Sequence, residues 1–132
     1  MVLVDTSVWV ELFRQGSALG PEEAFDLEEV VTCLPVVQEV LQGFRDEEAY
    51  RSAREAMLAL PMVDSPLPWA AVEHAVELYR LARRRGLTVR SSVDCLIAAC
   101  AIRHNLTVLH RDRDFPALAQ ISALRERSIN QG

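Results

Sequence analysis

Short, wholly apolar runs alternate along this chain with longer stretches in which apolar residues recur every three or four positions. Residues 2–4 form the first such run, which stops abruptly at Asp5, as a strand buried on both faces would. Thr6 and Ser7 can cap the helix that follows, in which Val8, Trp9, Leu12 and Phe13 recur at helical spacing. A loop over 16–20 leads to Pro21-Glu22-Glu23, whose proline and acids suit the first turn of another short helix. Residues 30–34 read as a second strand. Pro35 starts the next helix, which ends at Gly43, and residues 46–60 are rich in helix formers. Met62 and Val63 make a brief third strand before the Ser65-Pro66-Leu67-Pro68 turn. A long helix is predicted over 69–85, stopped by Gly86, and another over 92–104, capped by Ser91 or Ser92 and ended by Asn105. Residues 106–110 form a fourth strand, 115–119 a short helix, and the tail over 122–129 supplies a fifth strand.

Strands alternating with helices predict an α/β three-layer sandwich, with a central parallel sheet of about five strands and helices on both faces. No repeat, low-complexity tract or linker interrupts the pattern, so residues 1–132 are expected to form a single domain. In such sheets ligands bind beyond the carboxyl ends of the strands. That rule makes the positions of the acids informative.

Composition narrows the options. Half the residues are apolar and a quarter are charged, the profile of a globular protein, and no apolar stretch approaches the roughly 20 residues of a membrane-spanning helix. The first residues lack the basic and apolar regions of a secretion signal, so no membrane association and a cytoplasmic location are expected. Cys33, Cys95 and Cys100 have no paired spacing and read as small buried residues in a reducing compartment. The net charge is −5, yet all 14 basic residues are arginine, crowded into 80–90 and 103–113. Arginine suits bidentate phosphate contacts, although solvated helix faces and a compositional bias explain the same pattern.

Five acids carry the chemistry. Asp5 follows strand one, where taken alone it also reads as an N-cap or first-turn acid of the next helix, and Asp112 and Asp114 closely follow strand four, so both groups belong on one rim of the sheet and face each other if those strands are neighbours. Asp94 stands in the first turn of an otherwise apolar helix. It fits a capping box with Ser91, but a carboxylate opening so apolar a helix needs a partner or a metal. Glu39 lies at the edge of the apolar arc of Val36, Val37, Val40, Leu41 and Phe44, beside Gly43. His104 and His110 read as surface or core residues. Carboxylates gathered at this density raise one another's pKa and repel unless cations neutralise them. Hard divalent cations take oxygen ligands, and two of them roughly 3.5–4 Å apart can position a water for in-line attack on a phosphate.

Val-Asp-Thr-Ser-Val at the start, Glu39, Val-Asp-Cys-Leu-Ile-Ala-Ala and His-Arg-Asp-Arg-Asp-Phe closely resemble the motifs of PIN domains. Length and motif order look like the VapC toxins of bacterial toxin–antitoxin pairs. The resemblance runs from Val2 to about Ala119, and it implies a PIN-like fold and an endoribonuclease dependent on Mg²⁺ or Mn²⁺. Asp5, Glu39 and Asp94 match the family's three most regular acids. The fourth position is shared between Asp112 and Asp114, with Asp112 expected nearer the metals. Thr6 or Ser7 matches a hydroxyl that orients Asp5 or a metal water. Arg90 is a candidate phosphate contact, and Arg111 and Arg113 join it as RNA-binding candidates. The implied partners are an RNA substrate, a VapB-type antitoxin whose basic tail reaches the acidic pocket, and a second copy of the chain in a homodimer. Trp9, Phe13, Phe25 and Phe44 either line the antitoxin groove or belong to the core.

Two rivals remain. An aspartyl-phosphate phosphatase would need a second acid where Ser7 stands, and a lysine, which this chain lacks. A catalytically silent interaction module would keep the fold, but a binding surface gains nothing from clustered like charges.

Overall fold

The computed structural model describes residues 1–14 and 25–129. The loop and short helix expected over 16–24 lie outside the described residues, as do the last three positions. Within them the chain forms β1 (Val2–Val4), α1 (Thr6–Phe13), a 3₁₀ turn (Leu27–Glu29), β2 (Val30–Cys33), α2 (Leu34–Gln42), α3 (Glu47–Leu58) and β3 (Met62–Val63). It continues through α4 (Trp69–Arg84), α5 (Ser92–Arg103), β4 (Thr107–His110), α6 (Asp114–Ala119) and β5 (Arg125–Ser128).

All five strands run parallel, in the order β3-β2-β1-β4-β5. Successive side chains of a strand point to opposite faces, so two adjacent buried residues require cover on both sides. Leu3 and Val4 are each 0% exposed, and every residue of β2 is buried. Both faces of the sheet centre are therefore packed, as the apolar runs predict. The outer strand β5 is different. Its Arg-Glu-Arg-Ser sequence is largely exposed, a charged edge that discourages pairing with another chain.

Helix ends follow local chemistry, with two corrections. Asp5, not Thr6 or Ser7, is the N-cap of α1: its carboxylate accepts the Ser7 backbone N–H at 3.0 Å. Ser91 occupies the N-cap position of α5, but its side chain makes no capping bond, and the expected box with Asp94 does not form. Gly86 and Asn105 adopt left-handed φ of 73° and 56°, ending α4 and α5 where the sequence predicts. Alanines let α5 sit deep in the protein: Ala98, Ala99 and Ala101 are all fully buried. Cys33, Cys95 and Cys100 are free and buried, as expected.

From the central β1 the chain steps to β2 on one side and later to β4 on the other. The carboxyl ends of β1 and β4 thus bound the crevice where the winding changes direction, the place where open α/β sheets bind ligands.

Candidate active site

Asp5 leaves β1 at that crevice, its backbone N–H still bonded to Leu109 O across the sheet at 2.9 Å. Its side chain is buried. One carboxylate oxygen, Oδ2, accepts the Ser7 hydroxyl at 2.6 Å as well as the Ser7 N–H. The other, Oδ1, is buried and has no hydrogen-bond partner among the described residues. Burial pushes the Asp5 pKa up, the Ser7 bonds pull it back, and the neighbouring Asp112 charge adds to the rise. Ser7 also ties α1 to the loop after β4, because its hydroxyl oxygen accepts the Arg111 N–H at 3.0 Å.

That loop is built by His110, whose role the sequence pattern does not reveal. His110 is 1% exposed at the end of β4. Its Nδ1 accepts the Asp112 N–H at 3.1 Å, which leaves the ring proton on Nε2 to bond Glu126 of β5 at 2.7 Å. Asp112 Oδ1 then accepts the Asp114 N–H at 2.9 Å. Two successive bonds of a side chain to the backbone two residues on thus wind Asp112 and Asp114 into one site. A histidine two residues before an acid is the available signal, but its meaning depends on Glu126 arriving on the adjacent strand.

Asp114 is 2% exposed and accepts the backbone N–H groups of Arg90 and Ser91 at 3.0 Å each. The donor that a capping box would have sent to Asp94 therefore goes to Asp114. Asp94 itself, 4% exposed, keeps Oδ2 buried and without a hydrogen-bond partner among the described residues. Burial, a hydrogen bond with Asp114, and the charges of Asp5, Asp112 and Asp114 push its pKa up to about 9. Oxygens of Asp94, Asp112 and Asp114 lie within 4.8 Å of one another. Glu39 reaches the margin from α2, where the Thr6 hydroxyl bonds its Oε1 at 2.8 Å. Burial raises its pKa against that bond, and it feels the charges of Asp5 and Asp112.

The structure thus brings three predicted acids into one tight group and holds Asp5 and Glu39 within electrostatic reach of it. Buried polar atoms are almost always hydrogen-bonded, so two orphaned carboxylate oxygens need an explanation. An all-oxygen donor set with atoms left unpaired fits a hard divalent cation. Arg111 and Arg113 fare differently from each other. The Arg111 guanidinium is held by Glu11 at 3.2 Å, whereas Arg113 makes no ion pair among the described residues. The aromatic group divides as well: Trp9 and Phe25 are buried core, while Phe13, 37% exposed, and Phe44 line a surface groove with Val10 and Gly43.

A parallel α/β sheet whose switch crevice is lined by carboxylates defines a class of proteins with an acidic cleft at that point. Within that class, the chain belongs to the PIN domain family, whose model matches residues 2–121. It is 41% identical over 136 aligned residues to a VapC ribonuclease of Mycobacterium bovis and to the ribonuclease VapC11 of Mycobacterium tuberculosis. Those alignments cover 98% of this chain and 99% of each relative. Among solved structures, VapBC2 from Rickettsia felis, bound to a DNA fragment from its promoter, shares the fold with a TM-score of 0.77 at 19% identity. That match covers 98% of this chain and 100% of the other.

Proposed function

We propose that this protein is a divalent-metal-dependent endoribonuclease and the toxin of a toxin–antitoxin pair. The observation that carries the metal reading is the pair of buried, unpartnered oxygens, Asp5 Oδ1 and Asp94 Oδ2, beside the Asp94–Asp112–Asp114 group. Likeness to VapC ribonucleases over nearly the whole chain supports RNA as the substrate.

Asp5, Asp94 and Asp112 would hold Mg²⁺ or Mn²⁺, with Asp114 alongside. When bound, the metal supplies positive charge to a phosphodiester and makes water acidic enough to act as a nucleophile near neutral pH. The chain's own groups do the rest. Ser7 fixes the Asp5 carboxylate, and the His110–Glu126 pair fixes the loop that presents Asp112. Arg90 and Ser91 N–H groups orient Asp114. Thr6 holds one oxygen of Glu39, leaving the other to accept a proton at the margin of the site. A silent interaction module would leave the orphaned oxygens without a purpose.

The groove of Val10, Phe13, Val40 and Phe44, about 300 Å³ in volume, suits an apolar segment of an antitoxin. Among the described residues no helix is long and apolar enough to cross a membrane. Action in the cytoplasm and assembly as a homodimer belong to the same proposal, the latter checked by light scattering.

Sequencing of RNA 5′ ends after expression tests the reading. Wild type should create new 5′-phosphate ends at defined positions, and Asp5→Asn should create none. Equal patterns from a folded Asp5→Asn variant would remove the assignment.

A further inference from the structure

An RNA must approach a protein of net charge −5, and the acids of the site oppose it until cations neutralise them. Seven of the 14 arginines bear on this in two contrasting ways. Arg14 and Arg111 are both paired with Glu11, at 2.9 and 3.2 Å, and Arg103 with Asp64 at 3.3 Å. Each of these three has a carboxylate partner, although Arg14 and Arg111 share one. Arg80, Arg83, Arg84 and Arg90 are all exposed, and none makes an ion pair among the described residues.

These four line two neighbouring hollows that have Arg80 in common. Arg80 and Arg90, with Ser92, border a hollow of about 450 Å³ whose floor is mostly apolar (Val72, Val76, Leu96), and Arg80 borders an adjoining one of about 380 Å³ with Arg83 and Arg84. Arg80, Arg83 and Arg84 stand three and four residues apart on α4, so they share one side of the helix and span about 6 Å along it. The inner end of the row meets the site directly, because the Arg90 N–H is bonded to Asp114 at 3.0 Å. Arginines in a last helical turn commonly offset the macrodipole, which accounts for Arg83 and Arg84. It does not account for Arg80, nor for the continuity with Arg90.

We propose that Arg80, Arg83, Arg84 and Arg90 form a track that binds successive RNA phosphates and leads the strand to the acidic group. The planar guanidinium matches phosphate oxygens in pairs, and the row leaves bases unread, so the track sets affinity and direction rather than sequence. The proposal rests on the ribonuclease reading above.

The test measures binding of a mixed-sequence RNA oligonucleotide, in Mg²⁺, to Asp94→Asn protein with and without Arg80→Gln, Arg83→Gln and Arg84→Gln. Cleavage of total RNA by the corresponding proteins with native Asp94 is followed in parallel. Each phosphate contact on a single strand contributes about 0.7 to the slope of log affinity against log salt. Loss of three contacts should flatten that slope by about 2, weaken binding roughly 10- to 100-fold near 0.1 M salt, and raise KM correspondingly. Arg51→Gln with Arg54→Gln on α3 is the control and should leave slope and KM unchanged. Melting curves verify that the variants remain folded. An unaltered slope in a ridge variant whose parent binds and cleaves RNA would overturn the track alone. Parent protein that binds RNA through the ridge yet never cleaves would uphold the track and overturn the nuclease reading. A ridge variant with normal RNA affinity that fails to co-purify with an antitoxin would reassign the arginines to protein docking, against the proposal.

Discussion

Replacing Asp94 by asparagine separates the electrostatic reasoning from the packing, because the side chain keeps its size and loses its charge. In the native protein the Asp94 carboxyl titrates near 9 against an ordinary value of 3.8. A raised carboxyl pKa means that the folded state holds its proton more tightly than the unfolded state. The stabilising contribution is complete below about pH 4 and is lost progressively as pH rises toward 9. The full gap corresponds to about 7 kcal/mol, and local relaxation and partial screening by water bring the expected figure to a few kcal/mol. Wild-type protein in chelator should therefore lose about 2–4 kcal/mol between pH 5 and pH 8, or roughly 5–15 °C in Tm. Asp94→Asn should show a much flatter profile over that range and melt above wild type at the alkaline end. Mn²⁺ at about 100 times its Kd should restore about 2.7 kcal/mol to wild type, through ligand linkage, and little to the variant. Thermal melts at several pH values, with chelator or Mn²⁺, read all three effects. Parallel pH profiles for the two proteins in chelator would refute the claim that a buried, mutually repelling carboxyl dominates this site.

Three further outcomes follow from single contacts. Ser7→Ala removes the hydroxyl bond that helps hold the Asp5 pKa down while the backbone N–H bond stays, so the acidic limb of the pH–activity profile should move to higher pH. The Arg111 N–H left without its partner should also lower stability by about 1–3 kcal/mol in denaturant titrations. His110→Leu strands the Asp112 N–H, and a fall in kcat well beyond that of His110→Asn, which keeps an acceptor near Nδ1, is expected in RNA cleavage assays. Comparable loss in both variants would show that ring packing, not the acceptor, matters. Gly86→Ala forces a side chain into φ 73°, and chemical denaturation should show about 1–2 kcal/mol of destabilisation with the cleavage rate unchanged.

Short apolar runs such as those at β1 and β2 suit strands covered on both faces, and the helical periodicity between the strands leaves parallel pairing as the economical solution. Gly86 and Asn105 mark helix ends by backbone chemistry that belongs to the residue itself. Asp5 and Asp94, too, are visible as residues out of keeping with the apolar runs they adjoin. These properties are local, carried by covalent spacing and intrinsic preference. The capping pattern at Ser91 is not legible in the same way, because hydrogen-bond donors there have two carboxylates to choose from. Asp114, 23 residues further on, takes the Ser91 N–H. Arg111 looks free for phosphate until packing sets Glu11 against it, and His110 gains its role only when β5 delivers Glu126. Partner choice among polar groups is decided by distances of a few ångströms between segments far apart in sequence, since hydrogen bonds and screened charges act only at short range. Which groups stand in this chain is written in its sequence; which of them face one another is settled by the fold.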